Sequence, residues 1–159
     1  MSNAKKRSDG EVIATNRRAK YDYAILSTLE CGLVLQGTEV KSLRARHVHF
    51  ADAYALVKGG ELFLMGVNID PFAQGTHGNH EPDRTRKLLA HKREIHKLAK
   101  HVQEKRRTLV PMRLYFKHGR AKVLIGLAEG KARVDKRRVI QKRQQDRDVA
   151  RALKRGAGR

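Results

Sequence analysis

Residues 107–130 read RTLVPMRLYFKHGRAKVLIGLAEG, and this stretch decides the fold. From Arg107 the apolar residues recur every second position. Val110, Met112, Leu114 and Phe116 fall on one face, and Arg113, Tyr115 and Lys117 on the other. That period of two is the signature of a half-buried strand. His118-Gly119-Arg120 is turn chemistry. Ala121, Val123, Ile125 and Leu127 then resume the alternation, and Gly130 ends it. The stretch predicts an antiparallel hairpin with one apolar face and one polar face, on which Lys122 points outward.

Upstream, the period changes. Leu88, His91, Ile95, Leu98 and Val102 recur at spacings of 3, 4, 3 and 4, the stripe of an amphipathic helix. Thr85 is its expected cap, and Lys92, Arg93, Lys97 and Lys100 cover the opposite side. Asn68–Asp83 holds Pro71, Gly75, Gly78 and Pro82 and reads as a long loop. Tyr54–Val57 and Leu62–Val67 flank Lys58-Gly59-Gly60-Glu61, a second hairpin signal. Thr38 is placed to cap a short helix bearing Val40 and Leu43. Tyr21–Leu35 reads as one or two strands. Strand runs interrupted by one inserted helix fit a mainly β protein with helices. The expected architecture is an OB-like antiparallel barrel of about six strands with one long packed helix and short helices. An open α+β sheet is the alternative.

Downstream, the character changes again. Lys131–Arg159 holds twelve Lys or Arg against three Asp, and few sizeable apolar residues. Such a segment cannot bury enough apolar surface to offset its ordering entropy. It lacks Pro, and its Arg, Lys, Gln and Ala favour helix. A tail disordered when free and helical against a polyanion follows; a solubilising extension is the bland reading. The chain thus divides into a flexible basic arm (1–15), a barrel domain (16–130) and a basic tail (131–159).

The net charge is +20, of which the tail carries +9 and the body +11. A basic body points to nucleic acid rather than to a small-molecule substrate. No apolar run approaches the roughly 20 residues needed to span a bilayer, and the N-terminus lacks a signal-peptide core. A cytoplasmic monomer without membrane contact is expected. The single cysteine, Cys31, excludes an intrachain disulfide and reads as a buried inert thiol.

Candidate sites follow from charge and chemistry. Asn16-Arg17-Arg18-Ala19-Lys20 precedes Tyr21 and Tyr23, cations beside rings that suit RNA; the simpler reading is that the tyrosines pack in the core. Arg84, Arg86 and Lys87 would surround the start of the long helix, where unpaired N–H groups favour phosphate. Glu30 is an acid among apolar residues, read either as a structural partner for an Arg or as an acceptor for base or 2′-OH donors. His77 and His80, with Glu81 and Asp83, form a weak metal pattern, more simply read as surface loop or RNA contacts. His47 and His49 raise ribonuclease chemistry, which needs two groups converging on one phosphate. No nucleophile elbow, phosphate loop or paired-carboxylate pattern occurs. No catalytic residue, metal or cofactor is expected.

NRRAKYDY (16–23), ECGL (30–33), LQGTEVKSLR (35–44), RTRKLL (84–89), LYFK (114–117), Gly130-Lys131 and DKR (135–137) together resemble the SsrA-binding protein (SmpB) family. The resemblance runs from about Asn16 to Arg155. It implies an OB-like barrel and a non-enzymatic role in bacterial trans-translation. The barrel would bind the tRNA-like domain of tmRNA, and the tail would enter the decoding site and message channel of a stalled ribosome. A general basic ribosomal or RNA-binding protein is the alternative. By resemblance, Asn16, Glu30, Leu89 and Lys122 are RNA contacts, to which charge adds Arg17, Arg18, Lys20, Arg84, Arg86 and Lys87. The tail residues implied in ribosome binding are Lys131, Arg133, Asp135, Lys136, Arg137, Ile140, Arg143, Arg147 and Arg151. Many members carry His where this chain has Val134. Many also carry a Trp soon after the Ile140 position, where this chain reads IQKRQQ (140–145).

Overall fold

The structure, a computed structural model, describes residues 10–75, 78–104, 106–131 and 133–157, without the side chains of 133–136 and 157. In chain order the elements are β1 (Glu11–Thr15), α1 (Arg17–Asp22), β2 (Tyr23–Leu33), α2 (Gly37–Arg44), β3 (Val48–Lys58) and β4 (Glu61–Ile69). They continue with β5 (Arg86–Leu89), α3 (Lys92–Val102), β6 (Arg107–Lys117), β7 (Arg120–Gly130) and α4 (Arg133–Ala157).

Every strand pairing is antiparallel. The order β6-β3-β4-β5-β2-β7 closes through β6–β7, giving a six-stranded barrel with β1 added beside β6. Closure removes the exposed edges that an open sheet would leave. The two hairpins fall where the turn chemistry placed them. Lys58 pairs with Glu61 and Lys117 with Arg120, so each loop has two residues. Gly59 and Gly60 both have positive φ, the backbone that a tight hairpin of this hand requires.

Leu62, Leu64, Ile69, Leu88, Leu109, Leu114, Val123 and Ile125 fill the barrel, each at most 1% exposed. Ile95 and Leu98 of α3 join this core. Cys31 is fully buried, and burial pushes its thiol up to about 12, so it remains a protonated packing residue.

Several expectations are corrected. Residues 11–15, assigned to a flexible arm, form β1, because Ile13 buries in the core. Residues 17–22 are helical. The long helix starts at Lys92, not after Thr85; Arg86–Leu89 is a strand paired with both β4 and β2. Leu88 fits the helical stripe by spacing but reaches the core from that strand. His91 caps α3, and the Glu94 carboxylate accepts from its backbone N–H at 3.2 Å. Gln36, not Thr38, caps α2, with Glu39 accepting from the Gln36 N–H at 2.8 Å. The alternation in β6 also breaks. A bulge between Pro111 and Arg113 shifts the phase. Leu114 and Phe116 therefore face the main core, while Val110 and Met112 pack with Ala19, Tyr23, Ile25 and Ala128 in a second cluster. Tyr115, expected to point outward, is 2% exposed.

The tail is one 25-residue helix. Its root lies beside α1, where the Lys131 N–H donates to Asp22 O at 3.1 Å and its Nζ to Lys20 O at 2.9 Å. Ile140, Val149 and Leu153 are 51–70% exposed, so they anchor nothing in the barrel.

Candidate nucleic-acid interface

Glu30 lies on β2, opposite Leu124 of β7; Gly32 is paired with Leu89 on one side and Lys122 on the other. Register therefore gathers Glu30, Leu89 and Lys122 on one patch of the barrel wall. Leu89 is 53% exposed, the side chain of a strand that buries Arg86 and Leu88 on its other face. Gly32, Leu33, Leu35, Leu89, Arg120 and Lys122 line a cleft of about 330 Å³ there. Exposed Leu is unremarkable singly, but here it borders a cleft flanked by Arg and Lys.

The Tyr115 hydroxyl donates to Glu30 Oε2, and Lys117 Nζ donates to Oε1 at 3.4 Å. The tyrosine bond, helped by Lys117 and the charge of Lys122, lowers the Glu30 pKa against partial burial. Glu30 is thus an ionised, partly exposed acceptor pinned from beneath, with Lys117 and Lys122 beside it. Its structural partners are a tyrosine and a lysine, not an arginine. The sequence put Tyr115 and Lys117 on one face but gave no register to bring them to Glu30.

The other residues separate. Arg86 is fully buried. Its Nε donates to Glu39 Oε1 at 2.9 Å, Nη1 to Val67 O at 2.7 Å and Nη2 to Pro82 O at 2.9 Å. All its donor groups face inward, so it contacts no phosphate. Arg84 grips the same carboxylate, Nη2 to Oε2 at 2.8 Å and Nε to Oε1 at 3.1 Å. Burial would raise the Glu39 pKa, but bonds from Arg84, the Gln36 N–H and Arg86 outweigh it and lower it. Lys87 is exposed and pairs with Glu61 at 2.9 Å. The expected phosphate site at a helix start is therefore replaced by a buried ion network that ties α2 to β5.

Asn16 also works locally. Its Oδ1 accepts from the Ala19 N–H at 3.3 Å, capping α1, and its Nδ2 donates to Pro111 O at 2.9 Å at the β6 bulge. Arg17, Arg18 and Lys20 are exposed on α1, with Arg18 paired to Asp22 at 3.3 Å. On α3, Lys92, Arg93, Lys97 and Lys100 are exposed, and no acid pairs with them among the described residues. In the tail, Arg137, Ile140, Arg143, Arg147 and Arg151 are exposed; Lys131 anchors the root. Arg133, Asp135 and Lys136 lie in α4, within the stretch whose side chains are not described.

The described histidines do not assemble a site. His80, expected on the loop surface, is 4% exposed. Its Nε2 donates to Ile69 O at 2.8 Å, so its Nδ1 accepts from the Thr38 hydroxyl at 2.8 Å. His77 lies outside the described residues, and no metal-holding cluster occurs among those described. His49 sits 3.7 Å from Asp70, and His47 precedes β3; the structure shows no shared acid–base pair.

The described helices include none long and apolar enough to cross a membrane. The comparisons with known proteins agree on one lineage. A relative from Limosilactobacillus fermentum, named SsrA-binding protein, is 53% identical over 92% of this chain and 93% of its own. One of the same name from Streptococcus mutans serotype c is 51% identical over 96% and 99%. A solved chain described as "tmRNA-SmpB: a journey to the center of the bacterial ribosome" superposes with a TM-score of 0.64 at 47% identity, over 80% of this chain and 93% of that one. The model of the SmpB protein family matches residues 13–155, and the chain belongs to that family.

Proposed function

We propose that this chain binds the tRNA-like domain of tmRNA and delivers it to stalled ribosomes for trans-translation. The observation that carries the reading is the patch of Glu30, Leu89 and Lys122, held by strand register on one wall of a strongly basic barrel. Lys122 and Lys117 supply charge for phosphate. Leu89 supplies an apolar surface for a base or sugar. Glu30 supplies an acceptor that only N–H or O–H donors satisfy, which gives selectivity beyond charge. The cations of α1 and α3 extend the positive field.

The tail is the ribosome-facing part. Its helix carries cations on nearly every side and exposes Ile140, Val149 and Leu153. That suits a channel walled by phosphates and not the protein's own core. Without such a partner a helix whose described side chains are almost all exposed is marginal in water, so the tail frays when free. The protein works as a cytoplasmic monomer, by binding and without catalysis.

Pull-down from cells followed by sequencing of bound RNA tests the reading. A dominant tmRNA peak is expected; recovery of bulk tRNA or ribosomal RNA alone would favour a general basic RNA-binding protein.

Two substitutions give the contact chemistry. Glu30→Gln removes a negative charge beside RNA, so electrostatics alone predicts tighter binding. Loss of an ionised acceptor predicts the reverse, a weakening of about tenfold, on the order of 1.4 kcal/mol. Titration of the isolated tRNA-like RNA decides the sign, with thermal melting to show an intact fold. Lys122→Ala is expected to weaken binding and to reduce the salt slope by roughly 0.7–0.9, one lost phosphate contact.

A further inference from the structure

A second cleft lies away from this patch, between α1 and the middle of β3. It has a volume of about 430 Å³, and its lining includes Arg18, Asp22, Tyr23, Asp52, Tyr54 and Thr108. Small-ligand clefts run from roughly 300 to 1,000 Å³. The opening is built into the sheet. The register between β3 and β4 shifts between Phe50 and Tyr54, which lifts residues 51–53 out of the ladder. Gly66 of β4 faces this bulge with φ of 74°, and a Cβ there would sit 2.8 Å from Asp52 O. A side chain at position 66 would therefore clash with the bulge backbone, and φ of 74° also favours glycine there.

The chemistry of the cleft differs from the rest of this basic surface. It holds two carboxylates. Asp22 is engaged by Arg18. Asp52 is exposed, and its carboxylate has no partner among the described residues. A free carboxylate repels phosphate but accepts from paired N–H donors. Tyr54 is 43% exposed beside it, a ring open for stacking. Arg17 and Arg18 are exposed on the adjoining helix, within the same local field.

We propose that this cleft receives one unstacked guanine of an RNA. Asp52 accepts from its N1–H and N2–H donors, Tyr54 packs on its ring, and the α1 arginines attract its phosphate. Guanine is the base that fits, because its Watson–Crick edge presents two adjacent donors. Adenine and cytosine each offer one amino group there. The uracil N3–H is flanked by carbonyls that repel a carboxylate. The cleft shares Asn16 and Arg18 with the basic α1 cluster but contains neither Glu30 nor Lys122, so it is tested separately from that patch.

NMR titration of the full chain with the 5′-monophosphates of guanosine, inosine and adenosine reads the base preference. Inosine lacks only the N2 amino group. Shifts centred on Tyr54 and Thr108 are expected, with the guanosine nucleotide binding about 5-fold tighter than the other two. Asp52→Asn should erase that preference, while Lys122→Ala leaves it intact. No shifts at millimolar nucleotide, equal binding of all three, or shifts confined to the Glu30–Lys122 patch would each overturn the proposal. Asp52→Asn is then assayed against the tRNA-like domain and against ribosomes. A loss of about 5-fold in one arm identifies which RNA supplies the guanine. Wild-type binding in both arms would also overturn it. Since Glu30 and Lys122 are untouched, that failure leaves the tmRNA reading standing.

Discussion

Removing residues 131–159 is expected to abolish tagging of stalled chains while leaving affinity for isolated tmRNA within about 10-fold of wild type, or ~1.4 kcal/mol. The barrel core lies within residues 11–130, and the patch of Glu30, Leu89 and Lys122 contains no tail residue. The tail contributes twelve cations, and its described side chains from Arg137 to Gly156 are almost all exposed. A reconstituted translation reaction on a message without a stop codon measures tagging, and a binding titration measures the RNA. Tagging at the wild-type rate by the tailless protein would reduce the tail to a solubilising extension. Replacing Asp135, Lys136 and Arg137 by Ala should impair tagging more than neutralising Lys154 and Arg155. The first three match the family string, whereas the last two end an exposed helix. The free tail should give sharp, poorly dispersed NMR signals that become protected on ribosomes.

Arg86→Ala should be strongly destabilising, by about 3–5 kcal/mol, because it leaves Glu39 charged and buried beside a cavity. Loss of that size removes a large share of a typical domain's 5–15 kcal/mol and should lower Tm by about 10 °C or more. Arg84 would still hold Glu39 from the partly exposed side, so Arg84→Ala should cost less. A melting series on the single and double variants checks the order. A loss near zero for Arg86→Ala would mean that the network carries no stability. The same network has an acid signature. The native Glu39 pKa is lowered, so its contribution is complete above the ordinary carboxylate range and fades as pH falls through the lowered native value. The Glu39→Gln protein should lack that acid-dependent component.

What could be read from the chain and what could not divide along physical lines. Hairpin turns are local. Gly59-Gly60 and His118-Gly119 carry their own backbone preference, and both turns lie where the sequence put them. Alternation along β7 is local as well: Val123, Ile125 and Leu127 face the core, and Lys122 the other face. The tail's helical propensity is a sum over its own residues. The family strings needed no fold at all.

Register is different, because it depends on residues far apart in sequence. Only the barrel brings Glu30 to Tyr115, 85 positions away, and Glu39 to Arg86, 47 positions away. Read alone, RTRK (84–87) is a cationic cluster awaiting phosphate. Folded, strand alternation turns Arg86 inward, Arg84 closes over the same carboxylate, and Lys87 faces solvent toward Glu61. The β6 bulge likewise moved Val110 and Met112 to a second cluster under α1, a phase shift that a strict period of two cannot register. The sequence by itself determined a basic, mainly β body, its hairpins and its cationic tail, since each follows from composition or from neighbours. Only tertiary structure decided which charges are buried and paired and which remain exposed, since burial is a property of strands that meet in space.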